Sequence, residues 1–211
     1  MKKNILKSIL FLVFIFSPIL LYAQKKQLAT ARESMLCDIL MKQYEQGNEK
    51  LYLKQQYDTA AFFSVTKRMY ETMAKFDSID AHLNMPSPVL PKYRERHAQF
   101  LNSIRPNLFN GGTYFLHVKD YKTAYDYFDN YIKTDKQSLF IGYDYEHKDD
   151  LMPHAAYWAM YCGYKLGDTE KTMRYLNLAE RDSSMLNFVR QYEASAYLMQ
   201  KDTTKYLKAL Q

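Results

Sequence analysis

Three short turns of one pattern constrain this chain more than any single residue does. They are Lys119-Asp120-Tyr121, Gly167-Asp168-Thr169 and Lys201-Asp202-Thr203, each set between two segments of helical periodicity. Asp168 and Asp202 lie 34 residues apart, the period of a helix–turn–helix unit that cannot bury its apolar face alone and stacks on its neighbours. The spacing predicts an all-α chain of stacked antiparallel helix pairs. Only 6 Gly and 6 Pro in 211 residues agree with long helices rather than turn-rich β structure. Twenty Tyr and 12 Phe supply the large knobs that fill gaps between stacked helices.

The first 23 residues read as a separate object. Lys2, Lys3 and Lys7 make a positive start, Ser8 to Tyr22 is almost wholly apolar, and Tyr22-Ala23-Gln24 follows. This is the pattern of a secretion signal cleaved after Ala23. The competing reading is an uncleaved anchor, for which Ile9 to Leu21 is short against a bilayer span of about 20 residues. No Cys closes the apolar run, which argues against a lipid-modified N-terminus. Removing this segment lowers the net charge from +6 to +3, because it holds three lysines and no acid. The remaining charges of both signs are interspersed, so the clustered basic face that nucleic acid requires is absent. The expected contact with a membrane is through the transient signal alone.

Within residues 24–211 the pattern predicts a helix pair over 28–80, with Leu36, Ile39, Leu40 and Tyr44 on one face of its first helix. Gln55-Gln56-Tyr57-Asp58 resembles the later turns. Pro86, Pro88 and Pro91 predict a loop over 84–91, an extra helix follows over 92–104, and Pro106 suits the first turn of the next helix. Repeating units are expected at about 105–135, 151–182 and 185–211.

From Arg105 onward these units resemble the tetratricopeptide repeat (TPR) family. Leu108-x-x-Gly111-Gly112-x-x-Phe115 precedes one turn and Ala124-x-x-x-Phe128 follows it. Tyr164-Lys165-Leu166-Gly167-Asp168-Thr169 through Leu176 is similar to a TPR turn and second helix over its whole length. Gly111 stands where the family has Leu, Gly163 where an aromatic is usual, and Tyr206 where a small residue is usual. The resemblance implies a right-handed α-solenoid that acts as a protein-binding scaffold in the periplasm, or at the inner face of an outer membrane. It implies neither catalysis nor a cofactor.

Two features depart from regular repetition. Asp120 and Asp168 lie 48 residues apart, 14 more than one period, and the surplus falls in Lys136 to Asp150. Such an insertion is either a binding loop or a plain solvated one. The chain stops at Gln211 inside its last helix, so a second copy, a partner or a C-terminal continuation is expected to cover that end.

Catalytic motifs are missing from the sequence: it contains no Gly-rich phosphate loop, no G-x-S-x-G and no H-E-x-x-H, and its five histidines lack metal-ligand spacing. Cys37 and Cys162 read as two buried thiols, although export would permit a disulfide. The leading functional expectation is an adaptor for a protein or peptide segment. A periplasmic sensory part of a longer signalling protein is the alternative, and an envelope hydrolase or glycan-binding protein is a third. The family's groove spacing selects His154, Tyr157, Tyr161, Tyr164 and Lys165, whose separations of three and four residues place them on one helical stripe. Thr113, Leu116 and His117 would adjoin on one side, and Gln191, Ser195 and Leu198 on the other. The competing reading of the Tyr stripe is packing against a neighbouring helix.

Overall fold

One backbone device recurs at four helix junctions. Lys54, Lys119, Gly167 and Lys201 adopt left-handed φ of 53°, 63°, 67° and 59°. The next amide then reaches back five residues, as in Asp120 N to Phe115 O at 2.9 Å, Asp168 N to Gly163 O at 3.0 Å and Asp202 N to Tyr197 O at 3.0 Å. This geometry satisfies the orphan carbonyls at a helix C-terminus. An aspartate then starts the following helix. Asp58, Asp120, Asp168 and Asp202 accept from the amides of Ala61, Thr123, Lys171 and Lys205 at 2.9, 3.1, 2.9 and 3.0 Å.

The structure, a computed structural model, describes residues 2–83, 91 and 93–209, with side chains from Gln24 onward except at 26, 29, 30, 82 and 83. Among the described residues all regular secondary structure is helical, with no strand. Its elements are α1 (Lys2–Tyr52), α2 (Thr59–Leu83), α3 (Arg94–Ile104), α4 (Pro106–His117), α5 (Tyr121–Lys133), α6 (Tyr145–Lys148), α7 (Leu151–Lys165), α8 (Thr169–Met173), α9 (Leu176–Ala179), α10 (Leu186–Met199) and α11 (Thr203–Ala209). The helix expected from residue 28 is part of a longer one, since no Gly or Pro interrupts 24–46. The side chains of the expected signal segment, the loop residues 84–90 and the last two residues lie outside the described ones. Among the described residues no helix is long and apolar enough to cross a membrane.

α1 and α2 run antiparallel, with Lys75 ion-paired to Glu33 near one end and Phe62 stacked on Tyr44 at 5.3 Å near the other. In the α4–α5 pair, glycines set the closeness: a Cβ on Gly112 would lie 2.7 Å from the Phe128 ring, and one on Gly111 2.6 Å from Tyr127. Gly111 thus makes room for a buried tyrosine. Ala124 is fully buried in the same seam. The core continues through Met69, Met73 and Phe76 of α2, Leu101 of α3 and Met152 and Met160 of α7, all at most 1% exposed. Side chains of this size each contribute roughly 1.5–3 kcal/mol on burial.

One expectation needs correction, and one of two open alternatives is removed. The second helix expected over the whole of 169–176 is broken into α8 and α9, because Tyr175 leaves helical geometry (φ −115°, ψ 21°). The bend aims its hydroxyl inward, where it donates to Asp129 Oδ1 at 2.6 Å. The insertion, in turn, is not a plain solvated loop. Two 3-10 turns (Thr134–Lys136 and Ser138–Phe140) and α6 carry Leu139, Phe140 and Tyr145 into the core. Phe140 packs 6.0 Å from Tyr70.

Arg105 organises that region. Its guanidinium, 5% exposed, lies 3.8 Å from the ring centroids of both Tyr131 and Tyr145. It donates to Thr134 Oγ1 at 2.9 Å and to the Tyr131 carbonyl at 3.2 Å, and it pairs with Asp149. Tyr131 also donates to Asp149 at 2.6 Å. A buried charge is tolerated only when its donors are spent in this way.

Candidate functional site

α7 is two-faced. Ala155, Ala156, Ala159, Cys162 and Gly163 are buried on one side, where their small size lets α5 and α8 approach. His154, Tyr157, Trp158, Tyr161 and Tyr164 follow one another along the other side at helical spacing. The bulky rings therefore gather where α7 meets α10.

Ring contacts unite most of the predicted stripe. Tyr164 stacks on Tyr192 of α10 at 4.9 Å and 28°, while Tyr161 and Tyr157 lie 5.8 and 6.2 Å from the same ring. Tyr161 also meets Tyr121 edge-on at 6.0 Å. The ammonium of Lys165 sits 5.4 Å over Tyr161 and 6.0 Å over Tyr164, a cation–π arrangement on the outer side of the row. His154 stacks on Phe109 of α4 at 6.1 Å, which links the row to the preceding helix pair.

The predicted residues differ in access. Tyr157 is 5% exposed, packed 4.8 Å from Trp158 and 6.4 Å from Phe188, so its ring serves packing and is closed to a partner. Burial raises its hydroxyl pKa. His154, Tyr161 and Tyr164 are half-buried, and Lys165, His117 and Gln191 are exposed. Leu198 is 60% exposed. Thr113 and Ser195 are half-buried and donate to carbonyls four residues earlier in their own helices, and Leu116 packs on the core. Neither hydroxyl joins the ring row.

Two members of the row were missing from the predicted stripe: Trp158 and Tyr192. Trp158 lies four residues after His154, and Tyr192 lies four after Phe188 and beside the predicted Gln191. Aromatic i, i+4 spacing is the signal that would have found both. Trp158 donates its indole N–H to His154 Nε2 at 3.0 Å, and His154 Nδ1 faces Asp182 Oδ2 at 2.8 Å. Asp182 is partly buried, which raises its pKa, but bonds from Ser184 and His154 outweigh this and hold it below the usual carboxylate value.

A cleft of about 550 Å³ opens beside His154, lined by Glu146, Asp149, Asp150, Arg181 and Asp182. A second, of about 630 Å³, lies apart from the row between α3 and the insertion, where Arg94, Gln99, Ile141 and Tyr143 face it. Among the described residues no group of three His, Cys, Asp or Glu is placed to hold a metal ion. Cys37 and Cys162 are separate, free and buried, and burial pushes their thiols up to about 11 and about 12. Neither is poised as a thiolate nucleophile.

No protein-family model, curated protein or solved structure matches the chain.

Proposed function

We propose that the chain is an exported scaffold of tetratricopeptide type, a right-handed solenoid that holds a protein or peptide segment of the cell envelope against the aromatic row of α7 and α10. The repeated left-handed turn followed by an aspartate cap, at Lys119-Asp120, Gly167-Asp168 and Lys201-Asp202, supports the repeat reading. Lys2, Lys3, Lys7 and the apolar run ending before Ala23 support export.

One observation carries the binding reading. Trp158, Tyr161, Tyr164 and Tyr192 form a continuous, half-exposed row beside exposed Lys165 and Gln191. Tyr and Trp, with an apolar body and a polar tip, dominate the energetics of protein interfaces. A row that spans two neighbouring helices suits an extended segment better than a small molecule.

Immobilised chain beginning at Gln24 is the direct test, with envelope proteins offered to it. Tyr161→Ala with Tyr192→Ala should keep the helical circular dichroism and lose the captured protein. Equal capture by parent and double variant would overturn the assignment of the row. N-terminal sequencing of the secreted protein should begin at Gln24, and Met1 retained on cytoplasmic protein would end the export reading.

A further inference from the structure

We propose that His154 is a proton-operated latch on Trp158, so that acidification releases the indole and alters the aromatic row. The inference rests on the row being the binding face, but the latch itself is a property of the free protein.

The tautomer follows from hydrogen-bond chemistry. An indole N–H can only donate, so His154 Nε2, 3.0 Å from Trp158 Nε1, carries no proton. The imidazole's single proton therefore sits on Nδ1 and is donated to Asp182 Oδ2 at 2.8 Å. Asp182 is held in turn by the Ser184 amide at 3.1 Å, which fixes the carboxylate's direction. Neutral His154 thus uses both nitrogens, one to grip the carboxylate and one to hold the indole.

A second proton has one place to go, the Nε2 lone pair. Once there, it puts an N–H donor against the Trp158 N–H donor, and the attraction becomes a repulsion. The bond to Asp182 meanwhile becomes an ion pair. The imidazolium stays on Asp182, and the indole is the group that leaves. Trp158 lies 4.8 Å from Tyr157 and 5.8 Å from Tyr161, so its departure uncovers one ring and removes the edge contact of another.

The surroundings let the proton arrive. The His154 side chain is 29% exposed, and the adjacent cleft gives water a route to the ring. The charged groups around it are Glu146 from α6, which pairs with Lys136 and Arg181, Asp149, which pairs with Arg105, Asp150 at the start of α7, Asp182 after α9, and His147. From α4 the ring meets Phe109, and within α7 Tyr157; neither brings a charge at neutral pH.

Trp158 is the chain's single tryptophan, so its emission reports the latch without a label. Emission of the partner-free chain is followed from about pH 8 to pH 5, the span in which histidines change charge. The expected result is a one-proton step with a red shift and loss of intensity. His154→Gln, whose amide can both accept from the indole and donate to Asp182, should abolish the step, while His147→Gln should leave it. A flat parent titration, or a step that survives in a folded His154→Gln, overturns the latch. Should that variant not fold, the parent decides by nuclear magnetic resonance: the indole Nε1–H signal must shift over the same pH step as the His154 ring protons, and independent titrations overturn the proposal. Because no partner is present, failure here leaves the binding reading standing. A normal titration with capture unaffected by the row variants would sink the binding reading alone.

Discussion

Gly163 and Thr172 meet backbone to backbone. A Cβ placed on Gly163 would lie 2.9 Å from Thr172 Cα and 2.7 Å from the carbonyl carbon of Lys171, so α8 rests directly on α7. Backbone cannot rotate aside as a side chain can. Gly163→Ala is therefore expected to destabilise by about 3 kcal/mol through forced separation of the two helices. At Gly112 the three nearest atoms all belong to the Phe128 ring, a side chain that can shift, so Gly112→Ala should cost less. Urea unfolding of the two variants would check the order, and equal midpoints would refute it.

The left-handed turns carry a measurable strain. Lys119 and Lys201 hold φ of 63° and 59° with a Cβ that disfavours that region, whereas Gly167 holds 67° freely. Lys119→Gly and Lys201→Gly should each stabilise by roughly 0.5–1 kcal/mol, and Gly167→Ala should cost about as much. Thermal melting reads both signs. Destabilisation by both glycine substitutions would show that the αL strain is not the controlling term.

Two neighbouring tyrosines, Tyr125 buried and Tyr175 half-buried, should respond oppositely to loss of the hydroxyl. Tyr175 donates to Asp129, a carboxylate only 8% exposed, and Tyr175→Phe should cost about 1–3 kcal/mol by removing a donor to a buried charge. The Tyr125 hydroxyl is buried without a hydrogen-bond partner. Tyr125→Phe is accordingly expected to be neutral, or to stabilise by up to about 1 kcal/mol. Equilibrium denaturation of the pair provides the comparison.

Acid should loosen the turns first. The Lys171 ammonium and then the Lys171 amide hold the Asp168 carboxyl below its usual range. A carboxyl whose folded pKa is depressed stabilises above its unfolded value, near 4, and loses that contribution as pH falls through the folded value. Asp202, lowered by the Lys205 amide, follows the same sign. Asp168→Asn retains a capping oxygen that does not titrate. Its stability should change less than the parent's between about pH 4 and pH 2, as followed by circular dichroism. An identical acid profile would remove Asp168 from the account.

The legible parts of the fold are the local ones. Each turn is written in four or five consecutive residues, so Asp120, Asp168 and Asp202 mark helix starts without knowledge of any distant contact. The break at Tyr175 has its cause 46 positions upstream in Asp129, and no local pattern carries that. The insertion hides its role for the same reason: Phe140 and Tyr145 look like loop aromatics until Tyr70 and Arg105 stand beside them. At the candidate site, helical spacing finds Tyr161 and Tyr164. It also selects Tyr157, which α10 covers with Tyr192 and Phe188. Which of several rings on one face stays open depends on the neighbouring helix, and the stripe alone cannot say.

The Arg105 clamp bears on how the molecule comes apart. In a plain stack of repeats each unit touches only its neighbours, so unfolding creeps inward from the ends. Here one guanidinium touches the carbonyl of Tyr131 in α5, the hydroxyl of Thr134, the ring of Tyr145 in the insertion and the carboxylate of Asp149 at the head of α7. Those segments gain or lose the contact together, which makes them one cooperative block. The α10–α11 unit lies beyond that tie and is joined to α7 through rings. Amide exchange should therefore be fastest there, at the very helix that completes the aromatic row.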